Sequence, residues 1–158
     1  MGEVLTQIVP TFNKSIRIEG RNERLSAETG ALLLREADER LGLTRHIAAK
    51  LKDDRQAPVH SCSELLRTAI MLPALGWRDQ NDADFLRYDP ALRSSVSDQR
   101  GVTPLSEDSP GGLPSQPTLS RFHEALGQKG NRSVLRSALL EGAGRRLQAS
   151  NNGHRSGM

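Results

Sequence analysis

Residues 26–51, SAETGALLLREADERLGLTRHIAAKL, decide the fold class. Leu32, Leu33, Leu34, Ala37 and Leu41 recur at helical spacing and predict one apolar helix face, with Ser26 as N-cap and Gly42 as the stop. Thr44 then predicts the cap of a second short helix, RHIAAKLK (45–52), turning Ile47, Ala48 and Leu51 inward. Two helices joined by a short turn over residues 42–44 point to a mainly α-helical chain.

Reading outward from there extends the helical pattern. After a polar turn, DDRQAP (53–58), Ser61 and Glu64 stand at capping-box spacing ahead of LLRTAIMLPALG (65–76). Pro73 lacks an amide hydrogen and clashes with the preceding turn, so the helix should kink or end there. WRDQNDADFLRYDPALRSS (77–95) predicts two short helices, one capped by Asn81 or Asp82 and one opened by Asp89 with Pro90 at its first position. Upstream, EVLTQIV (3–9) and SIRIE (15–19) alternate weakly and predict two short strands that could pair as a hairpin.

Residues 97–114 are rich in Gly, Pro, Ser and Asp without periodicity, and predict a linker. SQPTLSRFHEALG (115–127) follows as a short helix closed by Gly127, and Ser133 predicts the cap of a last one. The expected organisation is an N-terminal extension (1–24), a helical domain (25–96), the linker (97–114), a basic helical segment (115–148) and a disordered tail (149–158). The fold class is mainly α, a small multi-helix domain with a short N-terminal β-hairpin and a disordered C-terminal tail.

Composition narrows the function. Of 158 residues 35% are hydrophobic and 3% aromatic, which predicts a thin core of Leu, Ala and Ile. Net charge is +3, and residues 121–158 carry seven basic side chains against two acidic ones, while residues 1–120 carry 15 against 17. The cationic excess therefore belongs to the C-terminal quarter. The bias of Arg over Lys suits phosphate contact, and it also follows from GC-rich coding. One cysteine, Cys62, rules out a disulfide framework or thiolate cluster. The four histidines lack ligand spacing, and no run is long and apolar enough to span a bilayer. A cytoplasmic location without membrane contact is the expectation.

SPGGLP (109–114) lacks the strand and the lysine of a phosphate loop. Asp79, Asp82, Asp84 and Asp89 crowd together without the glycine and closing glutamate of a calcium loop, and helix capping accounts for two of them. SQPTLSR has the residue types of a DNA-entering helix: hydroxyls for phosphates, Gln for adenine, Arg for guanine. A helix-turn-helix needs a first helix a few residues earlier, and SEDSPGGLP cannot be one, so an ordinary helix start fits as well.

The ordered set of Leu32–Leu34, Gly76–Trp77, Asp79, Asn81–Asp82, Asp89–Pro90 and SQPTLSR (115–121) resembles the N-terminal region of bacterial insertion-sequence transposases of the DDE class, domain group 1. The likeness runs over about residues 25–140. It implies cut-and-paste DNA transposition, in which an RNase H-like domain holds divalent metal, magnesium, with three carboxylates and activates water for attack on phosphate. No Asp follows Asp108 and only Glu124 and Glu141 remain beyond it. The expectation is a chain truncated before the catalytic carboxylates, with no catalytic residue, no metal ligand and no cofactor of its own. It would bind transposon-end DNA, form homo-oligomers, or pair with a full-length transposase. The expected DNA contacts are Ser115, Gln116, Thr118, Ser120, Arg121, Arg132 and Arg136. The alternative is a free-standing helical DNA-binding regulatory or interaction domain.

Overall fold

A computed structural model describes residues 7–18, 28–79, 81–99 and 112–155, the stretch from 145 onward as backbone. Among these residues the chain forms α1 (Gly30–Leu41), α2 (Leu43–Ala48), α3 (Cys62–Ala74), α4 (Asp82–Phe85), α5 (Pro90–Val96), α6 (Gln116–Gly127) and α7 (Lys129–Arg155). Helix α1 packs on α5, α2 on α3 and α7, α3 on α5 and α6, and α6 on α4 and α7. Where these helices meet lies one apolar core of Leu65, Leu66, Met71, Leu72, Leu92, Leu113, Leu119, Phe122 and smaller neighbours. Its single phenylalanine matches the thin, aromatic-poor core that the composition predicts.

Several local signals act as their chemistry demands. Ser61 accepts the Glu64 amide at 3.0 Å, and the Glu64 carboxylate accepts the Ser61 amide at 3.2 Å, so the capping box opens α3. Pro73 sits in the last turn of α3, where the helix ends. The exit from α3 is a Schellman turn. Gly76 takes φ 98°, its amide donates to Pro73 at 3.1 Å, and the Trp77 amide donates to Leu72 at 2.9 Å. That reversal lets the Trp77 indole N–H reach Glu28 at 2.9 Å. Asp89 accepts the Leu92 amide at 2.9 Å with Pro90 at the first helical position, which opens α5. Gly42, at φ 62°, closes α1.

Other expectations are corrected. Only Leu32 of the five residues assigned to the buried face of α1 is inside. The helix buries Ala31, Leu32, Arg35 and Glu36, and leaves Leu33 48%, Leu34 37% and Leu41 45% exposed. The reason lies in tertiary partners. Arg35 donates to the Ser95 and Ser97 carbonyls at 2.7 and 3.0 Å, pairs with Glu39 at 2.8 Å, and stacks 4.9 Å from the Phe12 ring. Glu36 accepts the Thr11 amide at 2.8 Å. A buried guanidinium so fully bonded fixes the helix rotation, although each leucine left outside forgoes up to about 1.5–3 kcal/mol of burial.

Thr44 is not a cap. Gly42 precedes α2, and Thr44 lies inside it, its amide and hydroxyl both held by the Asp38 carboxylate. Neither Asn81 nor Asp82 caps α4 with its side chain; Asp82 accepts the Asp79 amide at 3.1 Å instead. Ser133 lies inside α7, which begins at Lys129 and passes through Gly142 and Gly144 to Arg155. Its backbone is therefore helical beyond residue 148. Of the expected hairpin, the described residues form one antiparallel bridge between Ile8 and Ile18, closed by hydrogen bonds of 3.0 and 2.9 Å, and residues 3–6 and 19 lie outside them. The Ser26 cap and most of the linker lie outside the described residues. The linker's end does not behave as one: Leu113 and Pro114 are buried, and the Leu113 amide donates to Arg87 at 2.8 Å.

Candidate nucleic-acid interface

The start of α6 carries four of the seven expected DNA contacts. Ser115 is the N-cap residue, but its hydroxyl lies 3.0 Å from that of Thr118 and caps no backbone amide. The Gln116 side-chain amide donates to Ser120 at 3.1 Å. All four residues are half-buried. The Gln116 backbone N–H, one of the free donors of the helix N-terminus, donates to the Asp84 carboxylate at 3.1 Å. A carboxylate thus stands on α6 where a DNA phosphate would have to dock, a favourable match to the positive helix end. Asp84 lies 32 residues away, so no local pattern announces this contact.

The other three expected contacts are exposed. Arg121 lies on α6, one turn past Pro117, and Arg132 and Arg136 lie one turn apart on α7 with Lys129 just before them. None of the three pairs with a described carboxylate. Elsewhere Arg35 and Arg45 pair with Glu39, Arg40 with Glu36, Arg55 with Asp53, and Arg67 with Asp38 and Asp98, while Arg17, Arg78, Arg87 and Arg93 also pair with no described carboxylate. What sets Arg121, Arg132 and Arg136 apart is that they stand in the quarter where the sequence concentrates its positive charge.

Helix α7 is held against the body at two points. Asn131, buried, accepts the Lys52 amide at 2.9 Å and donates to the Lys52 and Ala125 carbonyls at 3.1 and 3.0 Å. Nearly three turns on, Glu141 meets His46 of α2 and Lys50 just beyond it, each at 2.8 Å. Those bonds hold the Glu141 carboxyl below the usual glutamate range. Between the anchors Ala138 is fully buried, while Arg132, Arg136, Leu139 and Leu140 face outward. At 1.5 Å per residue the 27-residue helix is about 40 Å long.

A second polar cluster escaped the sequence reading altogether. Arg35 and Arg67, both nearly inaccessible, donate to the carbonyls at the end of α5, those of Ser95, Val96 and the following Ser97. Burial and the neighbouring Arg67 push the Arg35 guanidinium down from its ordinary value. Burial also raises the Asp98 carboxyl, but bonds from Ser61, Ser63 and Arg67 outweigh it and hold the group below the usual aspartate range. Arg35, Glu39, Arg45, Arg67 and Asp98 line a cleft, and every one of them has an ionic partner. The cluster does the work of a helix C-cap.

No three His, Cys, Asp or Glu side chains among the described residues converge as a metal site would require. Asp38, Glu39, Glu64 and Asp98 are committed to guanidinium, hydroxyl and amide donors. The described residues do not fit the divalent metal that the resemblance implies. Among the described residues no helix is long and apolar enough to cross a membrane.

No curated protein and no solved structure matches the chain. A family model, transposase DDE domain group 1, matches residues 8–150. That span takes in the Gly76–Trp77 turn, the Asp89–Pro90 helix start, the SQPTLSR element and the basic helix α7, so the chain belongs to the group 1 DDE transposase family, whose work is DNA transposition.

Proposed function

We propose that this chain serves transposition by holding transposon-end DNA without cutting it. The observation that carries the reading is the group of exposed, unpaired arginines within the basic C-terminal quarter. Arg121, Arg132 and Arg136 stand exposed with no described carboxylate beside them, whereas Arg35, Arg40, Arg45, Arg55 and Arg67 are ion-paired. An exposed guanidinium spaced one helical turn from the next can bridge successive phosphates, and the counterions it releases drive binding. The hydroxyls and amide of Ser115, Gln116, Thr118 and Ser120 are mutually satisfied, so in this reading they join the contact by exchanging internal bonds for phosphate oxygens. In this reading the acids serve structure: Glu141 is tied to His46 and Lys50, and Asp38, Glu39 and Asp98 are tied to guanidinium groups.

Fluorescence anisotropy with labelled duplex DNA across a salt series tests the binding. The expected result is affinity that falls with salt, with a log–log slope near −0.9 per phosphate contacted. Undetectable binding at low salt ends the proposal. Incubation of the purified chain with supercoiled DNA and Mg²⁺ tests the other half: cleavage that EDTA abolishes would show a catalytic centre and overturn the non-catalytic reading.

A further inference from the structure

The first turn of α6 is the part of the proposed DNA contact that the fold itself keeps closed. At α3 and α5 a local side chain bonds the helix start, Ser61 in one and Asp89 in the other. At α6 the local residue does not: the Ser115 hydroxyl turns to Thr118 at 3.0 Å, and the Gln116 amide donates to Asp84 of α4, 32 residues earlier, at 3.1 Å. Pro117 has no amide hydrogen, so Gln116 supplies one of the few donors that this turn can offer outward. The fold does not need the Asp84 bond to seat α6. The Leu113 amide donates to the Arg87 carbonyl at 2.8 Å, and the chain passes so near that a Cβ on Gly112 would lie 2.4 Å from that oxygen. Leu113, Pro114, Leu119 and Phe122 are buried on one side of this junction, and Ala83 and Leu86 on the other. Asp84 itself is exposed. What it adds is a negative charge at the helix end.

We infer, resting on the DNA contact proposed above, that Asp84 is an autoinhibitory contact: its carboxylate holds the start of α6 and must leave before a DNA backbone phosphate can dock there. Carboxylate and phosphate are both drawn to the same amide and the same positive helix end, so one excludes the other. While Asp84 stays, its charge also repels an approaching backbone. DNA that meets only Arg132 and Arg136 on α7 leaves this contact closed. A duplex that reaches Arg121 as well brings a second phosphate to the α6 start and displaces the carboxylate. The exchange therefore sets a threshold, separating loose attachment to α7 from tight engagement of both helices.

Fluorescence anisotropy of the full chain with a labelled mixed-sequence DNA duplex, over a salt series, reads the contact. Asp84→Ala is expected to bind at least about threefold more tightly than the wild type at low salt and to steepen the log–log slope by about 0.9, one added phosphate. Glu124→Gln removes the same charge from an exposed site roughly two turns along α6 and should leave the slope unchanged. The melting temperature of Asp84→Ala should stay within about 2 °C of the wild type, whereas a purely structural cap would lower it and leave the slope alone. Asp84→Asn, nearly isosteric, repeats the measurement should the alanine variant fail to fold. Wild-type binding that neither Asp84 variant tightens overturns the autoinhibitory contact and leaves the DNA reading standing. Equal tightening and steepening by Glu124→Gln overturns it too, since the effect is then one of overall charge. Binding by the Asp84 variants alone supports both readings, and no binding by any of the chains overturns both.

Discussion

At the scale of single residues, Arg35 carries more of the architecture than any leucine of α1. Its side chain is 1% exposed and joins Glu39 to the Ser95 and Ser97 carbonyls. Arg35→Ala should cost about 3–5 kcal/mol in denaturant unfolding, because Glu39 and two carbonyls lose a buried donor. Arg35→Lys should recover only part of it, since an ammonium cannot reproduce the planar fork. A loss below about 1 kcal/mol would show that the cluster is solvated and contributes little. Asp98 and Glu64 give the acid limit. Both carboxyls are held below their unfolded values of 3.8 and 4.5 despite burial, by bonds from Ser61, Ser63 and Arg67 and from His60 and the Asp98 and Ser61 amides respectively. Depressed carboxyls stabilise the fold above the unfolded pKa and lose that contribution as pH falls through the folded one. Stability from these groups should therefore be flat above pH 4.5 and decline below 3.8, measured as melting temperature against pH.

At the scale of elements, α1 offers a direct contrast. Leu32→Ala removes a core contact and should destabilise by about 2–5 kcal/mol, whereas Leu33→Ala, one residue on, should change stability by under ~0.5 kcal/mol. Equal effects would mean that α1 is rotated differently. Periodicity alone could not choose between these neighbours: Leu32, Leu33 and Leu34 occupy three successive positions spread around the helix, and any rotation buries one of them. The caps show the opposite case. The Ser61–Glu64 box, the Asp89–Pro90 start and the Gly42 end were legible because donor and acceptor lie within a few residues of each other. Thr44 and Ser133 failed as caps because each helix begins before them, α2 at Leu43 straight after the left-handed Gly42 and α7 at Lys129.

At the scale of the whole molecule, the basic quarter and the neutral body divide the work. Arg132→Gln with Arg136→Gln should flatten the salt slope of DNA binding by roughly 1.8, two phosphates at ~0.9 each, while leaving the melting temperature unchanged because both side chains are exposed. An unaltered slope would move the interface off α7. Glu141→Gln should act differently. It breaks the charge contact with Lys50 and weakens that with His46, loosening α7 from α2, which hydrogen exchange at the α7 amides would register as faster opening.

The sequence by itself determined the helical class, most helix ends, the family and the location of the positive charge, since each depends on spacing or composition within one stretch. The tertiary structure alone decided which side of α1 faces inward, which acid sits on the α6 N-terminus, and which arginines remain unpaired. Those outcomes depend on partners 25–62 residues apart: Glu36 with Thr11, Gln116 with Asp84, Arg35 with Ser97. A hydrogen bond to a buried charge outweighs a hydrophobic count at the same position, and no pattern in a single segment records where its partner will be.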